Sequence, residues 1–308
     1  MIDKSRIIAA DAAGVSEAAA VLDAGGIVAV PTETVYGLAA RAADAAAVAR
    51  IYAAKGRPSF NPLIVHVSGV AQAEVLVEID AVSRGLMAQF WPGPLTLVLP
   101  LRAGAPIADL VTAGLPTLAV RCPAHPVMAA LIAACGPLAA PSANASGRLS
   151  STTAAHVAAT LAVPILDAGP TAAGVESTIV AVEGGAVRLL RPGAVAVGAI
   201  EAVVGAVAAG GGAIVAPGMM ASHYAPVQPL RLDAIRADAD EFHIGFGAVA
   251  GDVTLSATGD LGEAAARLFA MLHEAEASGR ARIAVAPVPE TGLGAAINDR
   301  LRRAAAPR

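Results

Sequence analysis

Ile27-Val-Ala-Val-Pro-Thr-Glu-Thr-Val-Tyr-Gly-Leu38 decides how the chain is read. Its first four residues are apolar and form a short buried strand, which Pro31 stops because proline has no N–H to give a ladder. Hydroxyls, an acid and a tyrosine follow at once, so polar chemistry begins where a strand ends. Upstream, residues 14–24 suit a helix closed by Gly25-Gly26; downstream, Asp44 is placed to cap a helix that runs to Ala54 and stops at Lys55-Gly56. Helix, strand, polar loop and helix in this order open an α/β domain. Lys55-Gly-Arg-Pro-Ser-Phe-Asn-Pro-Leu-Ile-Val-His66 then gathers a lysine, an arginine, an amide and an imidazole, and residues 63–67 read as the next strand, with His66 facing the same cleft.

Farther on, a helical pattern covers residues 81–90, Trp91-Pro-Gly-Pro94 turns the chain, and strands are expected at 95–99 and at 117–122, where Arg121 interrupts an apolar run. Residues 125–134 are helical, 138–141 a short strand, and 142–150 a Ser/Asn/Gly loop. A helix near 153–161 and a strand at 165–167 precede two strands, 177–182 and 187–191, joined by the hairpin signal Gly184-Gly185. The fold class is therefore α/β, with a large domain built on a twisted mixed sheet. The spacing predicts a small-residue helix over 199–209, a hinge at Gly210-Gly-Gly212, and an irregular segment from Pro217 to Pro226. Strand, helix, strand, helix at 242–246, 261–277, 282–286 and 294–303 make a small C-terminal Rossmann-like unit. The expected division is a catalytic domain over 10–198, a linker or lid over 199–228, and a C-terminal α/β domain over 229–308.

The 308 residues are 56% hydrophobic and 15% charged, which excludes a disordered chain. Two charge-free stretches, 126–147 and 202–222, reach spanning length but are broken by Gly136-Pro137, Pro141, Gly210-Gly-Gly212 and Pro217-Gly218, so no membrane span is expected. With no secretory pattern at the N-terminus, the chain reads as cytoplasmic. The net charge of −4 argues against wholesale coating of nucleic acid. Cys122 and Cys135 lack CxxC spacing and read as reduced core residues.

The phosphate, dinucleotide and zinc motifs with the clearest mechanics are absent. What remains is Lys55, Arg57 and Arg121 beside strand ends, with Thr34, Ser142, Ser150 and Ser177 in the loops around them. Guanidinium forks, an ammonium, hydroxyls and backbone amides in combination bind triphosphates and carboxylates and promote displacement at phosphorus without a strong base. The plain alternative makes each arginine a solvated side chain and each hydroxyl a turn cap. It fits Arg121 least, because a guanidinium in an apolar strand needs an anion. For Tyr36, His66 and Asn144 taken singly, packing or a turn remains the simpler reading.

Taken together, Pro31–Leu38, Lys55-Gly-Arg-Pro58 with Asn61-Pro-Leu63 and His66, Trp91–Thr96, Pro116–Arg121, Ala140–Gly147, Glu176–Val180 and Leu190–Gly193 resemble, in order and spacing, the YrdC-like threonylcarbamoyl-AMP synthases. Pro217–Pro226 looks like the linker of the two-domain form, although some relatives have a basic residue and a tyrosine where this chain has Met220 and Ala221. The resemblance implies a nucleotidyltransferase that makes L-threonylcarbamoyladenylate and pyrophosphate from L-threonine, bicarbonate and ATP, for N6-threonylcarbamoyladenosine in tRNA. It implies Thr34, His66, Arg121, Ala140 and Ser177 at threonine. Arg57, Asn61, Thr117, Ser142, Ser150, Arg191 and Tyr224 go to ATP, with Lys55, Arg57 and Arg121 as the catalytic cations. Mg2+ is expected with ATP and no dedicated metal ligands. Expected partners are the tRNA threonylcarbamoyl-transfer proteins downstream and a weak tRNA contact. His223-Tyr224 is expected to close over the cleft as a lid. The competing readings are an RNA-binding module and a carbamoyl-adenylate-forming transferase of hydrogenase maturation. The first lacks interleaved bases and aromatics; the second lacks its cysteine-rich module.

Overall fold

The computed structural model describes residues 6–210, 216 and 222–307. Gly211, Gly212 and the Pro217–Ala221 part of the linker, with Met220, lie outside the described residues. The first series of elements is β1 (Ile7–Ala9), α1 (Ala12–Asp23), β2 (Val28–Val30), β3 (Gly37–Arg41), α2 (Ala45–Lys55), β4 (Ile64–His66), α3 (Val70–Ala73), α4 (Ala81–Phe90), β5 (Leu95–Pro100) and α5 (Asp109–Thr112). It continues through β6 (Thr117–Arg121), α6 (Pro126–Cys135), β7 (Leu138–Ala139), α7 (Ala154–Ala158), β8 (Ile165–Asp167), β9 (Thr178–Glu183), β10 (Ala186–Arg191), α8 (Val197–Val204) and β11 (Val207–Ala209). The second series is β12 (Leu230–Arg231), β13 (Glu241–Gly245), β14 (Val253–Thr254), α9 (Leu261–Ala277), β15 (Arg282–Val285) and α10 (Gly294–Ala305).

The first series forms one mixed sheet, β1-β8-β2-β3-β7-β4-β6-β5-β9-β10-β11; the second forms a parallel sheet, β12-β15-β13-β14. This is the two-domain α/β architecture that the sequence predicts. The start of α2 is fixed by Asp44, whose carboxylate accepts from the N–H groups of Ala46 and Ala47, and Gly56 ends it in the left-handed region at φ 60°. Gly184 and Gly185, at φ 58° and 80°, make the two-residue turn that lets β9 and β10 pair antiparallel.

Two expectations are corrected. The helix predicted over 199–209 runs only over Val197–Val204, because Gly205 ends it at φ 81°; Val207–Ala209 then pairs in parallel with β10. The Gly37–Arg41 segment, between the strand expected at 27–30 and the helix expected from Asp44, is itself strand β3, between β2 and β7. Consequently the edge strands of the large sheet, β1 and β11, extend past the expected 10–198 limits.

Register decides where the site falls. On β4 and β6, His66 stands opposite Arg121, while on β5 and β9 Leu95 stands opposite Thr178. Because β5 runs antiparallel to β6, the ends of β4 and β6 and the starts of β5 and β9 share one edge. Apolar side chains of the small domain form a core with Val35, Leu149 and Val175 of the large one. The two domains therefore meet through buried hydrophobic surface beside the same edge.

Candidate active site

Arg121 ends β6 and is 3% exposed. Its Nε donates to the Gly93 carbonyl at 3.2 Å, Nη1 donates to Thr34 Oγ1 at 3.0 Å, and Nη2 forms an ion pair with Glu33 Oε1 at 2.5 Å. Thr34 is held in turn by Thr32, whose hydroxyl donates to the Val35 carbonyl and lies 2.9 Å from Thr34 Oγ1. The polar loop after β2 is thus folded around a buried guanidinium, which answers the demand for an anion that Arg121 raised. Beside it, His66 Nδ1 has no hydrogen-bond partner among the described residues. Burial first, and the Arg121 charge second, push the His66 ring down to about 3, so it is neutral at physiological pH.

Across the cavity, Ser177 Oγ lies 2.8 Å from Thr96 Oγ1 and accepts from Arg191 Nη2 at 3.2 Å; the Ser177 carbonyl accepts from the same nitrogen at 2.8 Å. Arg57 is held by the loop that follows it. Its Nη2 donates to Asn61 Oδ1 at 2.7 Å and to the Pro62 carbonyl at 2.8 Å, and its Nε donates to the Asn61 carbonyl. Burial lowers the Arg57 guanidinium to about 10, still charged at neutral pH. His223 and Tyr224 cover these groups, with ring centroids 4.1 Å apart. Burial pushes His223 down to about 3 and raises the Tyr224 phenol, so both rings are neutral.

One cavity therefore brings together Thr34, Arg57, His66, Arg121, Ala140, Ser142, Ser177, Arg191 and Tyr224 from the residues singled out in the sequence. The space left between them is about 40 Å³, room for a water molecule or two rather than a nucleotide. Four others stand elsewhere. Lys55, expected as a catalytic charge, buries its ammonium against the carbonyls of Ser142 (2.6 Å) and Asn144 (2.5 Å), and burial followed by the Arg57 charge lowers its pKa well below the usual lysine value. Its part here is to anchor the 142–150 loop. Asn61 acts through Arg57. The Ser150 hydroxyl donates to Glu176 Oε1 at 2.5 Å, behind the cavity wall. Thr117 sits at the opposite end of β6, paired with Pro100, roughly 13 Å from Arg121 at strand rise, and lines a separate groove with Val98 and Arg188.

Tyr36 is a clasp rather than a ligand contact: its hydroxyl donates to the Gly169 carbonyl at 2.8 Å. Sequence reasoning passed over Glu176, the one carboxylate lining the cavity among the described residues. Glu176 is 4% exposed; burial works against its charge, but Arg300 and Arg191, with hydrogen bonds from Ser150 and Arg300, outweigh this and keep its pKa low. Its place at the head of the Glu176–Val180 motif, directly before Ser177, was the signal that could have found it. No group of three or more His, Cys, Asp or Glu side chains that could hold a metal occurs among the described residues. Since Glu176 already serves Arg300 and Ser150, the side chains do not fit a dedicated magnesium site. No helix among the described residues is long and apolar enough to cross a membrane.

Known proteins resemble the chain over most of its length. A family model described as "Telomere recombination", of the Sua5, YciO and YrdC group, matches residues 20–193. One described as "Threonylcarbamoyl-AMP synthase, C-terminal domain" matches residues 195–306. A threonylcarbamoyl-AMP synthase of Bacillus subtilis (strain 168) is 40% identical, over 94% of this chain and 92% of the relative. Another, of Pyrococcus abyssi, is 40% identical over 93% of this chain and 92% of its own length. The crystal structure of P. abyssi Sua5 complexed with L-threonine superposes with a TM-score of 0.89 at 37% identity, over 98% of both chains.

Proposed function

The chain belongs to the threonylcarbamoyl-AMP synthase family, and from that premise we propose that it condenses L-threonine, bicarbonate and ATP into L-threonylcarbamoyladenylate, with release of pyrophosphate and water. The observation that carries the reading is that Arg121 and Ser177 line the same cavity as Arg57, Arg191 and Ser142. An amino acid's carboxylate and a nucleotide's phosphates are thereby offered cations side by side. Arg121 takes the threonine carboxylate with the second proton on each Nη, beyond those turned to Thr34 and Glu33, with Thr34 and Ser177 as neutral partners and His66 Nδ1 open to a hydroxyl or amine proton. The threonine amine, once deprotonated, adds to the carbon of CO2 drawn from bicarbonate and forms a carbamate. A carbamate oxygen then attacks the α-phosphorus, and the bond to the bridging oxygen breaks as pyrophosphate leaves. Arg57 and Arg191 stabilise the charge that develops on the phosphates, and Ser142 adds a hydroxyl.

His223 and Tyr224 act as a lid. A mixed anhydride hydrolyses readily, and two rings closed over the cavity keep water from it; admission of ATP requires them to move. Magnesium, were it to accompany the nucleotide, would be held by phosphate oxygens and water rather than by side chains of this chain, and would supply charge neutralisation at the phosphates. The adenylate is consumed by transfer proteins that modify tRNA.

The test is pyrophosphate release from ATP in bicarbonate, with and without threonine and with serine in its place. Release should depend on threonine, and Arg121→Met should lower kcat/KM for threonine by about tenfold to a hundredfold, the worth of a charge-assisted hydrogen bond. Threonine-independent release, or an unaffected Arg121→Met variant, would remove this assignment.

A further inference from the structure

Arg300 lies on α10 of the small domain, 124 residues from its partner Glu176, and is wholly buried. Its Nε donates to Glu176 Oε2 at 2.6 Å, Nη2 donates to the Pro192 carbonyl at 3.0 Å, and Nη1 pairs with Asp299 Oδ2 at 2.5 Å. Its guanidinium carbon stands 4.9 Å from the centroid of the Tyr224 ring, in cation–π range. Three of the four groups it touches, Glu176, Pro192 and Tyr224, belong to the cavity or support it. Glu176 holds the Ser150 hydroxyl, Pro192 follows Arg191, and Tyr224 covers the cations. A second chain of contacts ties the lid to the same helix: the His223 N–H donates to the Arg303 carbonyl at 3.2 Å, and Arg303 Nε pairs with Asp299.

We propose that Arg300 is a positioning residue through which the small domain completes the ATP end of the active site, by neutralising and orienting Glu176 and carrying the Tyr224 ring on its guanidinium face. Without Arg300, the Glu176 carboxylate would stand in a cationic pocket with one fewer counter-charge, where it repels phosphate and releases Ser150. At the threonine end, Thr34, His66 and Arg121 receive nothing from Arg300, and Ser177, although it follows Glu176, has its hydroxyl held by Thr96 and Arg191. The effect of removing it is therefore directional: nucleotide is affected and amino acid is spared.

The proposal rests on the reading of the site as a threonylcarbamoyl-AMP synthase, and its experiment separates the two. Arg300→Met and Arg300→Lys are compared with the parent enzyme by threonine-dependent pyrophosphate release and by hydrogen exchange of peptides spanning residues 147–152 and 174–178. Arg300→Met should raise KM for ATP about tenfold to a hundredfold, with KM for threonine nearly unchanged, and should speed exchange in those two segments. Arg300→Lys, which keeps the charge but not the fork, should recover part of the ATP effect. If the Arg300→Met chain does not fold, Glu176→Met/Arg300→Met removes both buried charges; this pair should regain stability and ATP affinity while the exchange in 147–152 stays fast, since Ser150 loses its acceptor. Equal losses for both substrates, or only a lowered Tm with unaltered KM values and exchange, would overturn the proposal. A parent enzyme with no threonine-dependent release would instead remove the assigned reaction, and the exchange measurement would still decide for or against Arg300.

Discussion

His66 and His223 show how burial sets the chemistry of single residues here. An unfolded histidine takes up its proton near pH 6.5, whereas these two stay neutral until about pH 3. His66 faces Arg121, while Glu176, Arg57, Lys55 and Arg191 surround His223. Between pH 3 and 6.5 the unfolded chain binds more protons than the folded one. The stability that comes from holding both rings neutral is therefore intact above pH 6.5 and is lost as pH falls toward 3. Two such rings give a slope on the order of 3 kcal/mol per pH unit in mid-window. Urea midpoints at pH 7 and pH 5 should show a steep fall for the parent chain and a smaller fall for His66→Gln or His223→Gln, the rest coming from the other rings that burial holds neutral, His156 (down to about 4), His273 and His125; equal falls in all three would contradict it. At this scale the sequence was informative wherever a polar group sat at a strand end, as with Arg121, His66 and Ser177. It was uninformative where the meaning of a charge lies in a distant partner. Lys55 and Glu176 both looked like ordinary motif members, yet one is turned onto carbonyls of the 142–150 loop and the other onto an arginine 124 residues away.

Elements were legible in proportion to how clearly their ends are marked. Helix α9 was read at its observed limits, Leu261–Ala277, where Asp260 caps the start by accepting from the Glu263 N–H. Strands β3 and β11 were missed because alanine and glycine carry little strand preference, and pairing with neighbours already in the sheet, rather than propensity, makes them strands. The lid stands between these cases: His223 and Tyr224 fall on the cavity, while residues 211–212 of the expected hinge lie outside the described ones. With about 40 Å³ left between the cations, the proposed lid would open for ATP and close again over the product. His223→Ala/Tyr224→Ala should admit nucleotide freely but shield the anhydride poorly. Trapping labelled bicarbonate as adenylate should show several-fold less product or a several-fold shorter lifetime; unchanged yield and lifetime would leave no role for the lid.

The division into two α/β units could be read along the chain, but their docking could not, because it depends on pairs with no local signature. His156 stacks on His273 with centroids 3.9 Å apart, Arg148 pairs with Glu276 at 2.6 Å, and Gly174 lies against α9. Gly174 is the tightest of these joints. A Cβ there would lie 2.3 Å from the Ala265 carbonyl oxygen and 2.4 Å from Ala266 Cα, and both are backbone atoms of a helix that cannot give way locally. It also sits at φ 69°, two residues before Glu176, so a shift of α9 would be felt in the cavity wall. Gly174→Ala should therefore cost about 1–3 kcal/mol for the overpacked contact in addition to roughly 1 kcal/mol of left-handed strain. Gly184→Ala isolates the second part, since Gly184 has φ 58° in the β9–β10 turn with nothing within 4 Å of an added Cβ. The comparison is made by urea denaturation and by pyrophosphate release. Gly184→Ala should lose only the strain and keep its activity, while Gly174→Ala should lose more stability and bind ATP less well, because the domain that delivers Arg300 no longer seats fully. Matching behaviour of the two variants would mean that domain docking does not govern the site.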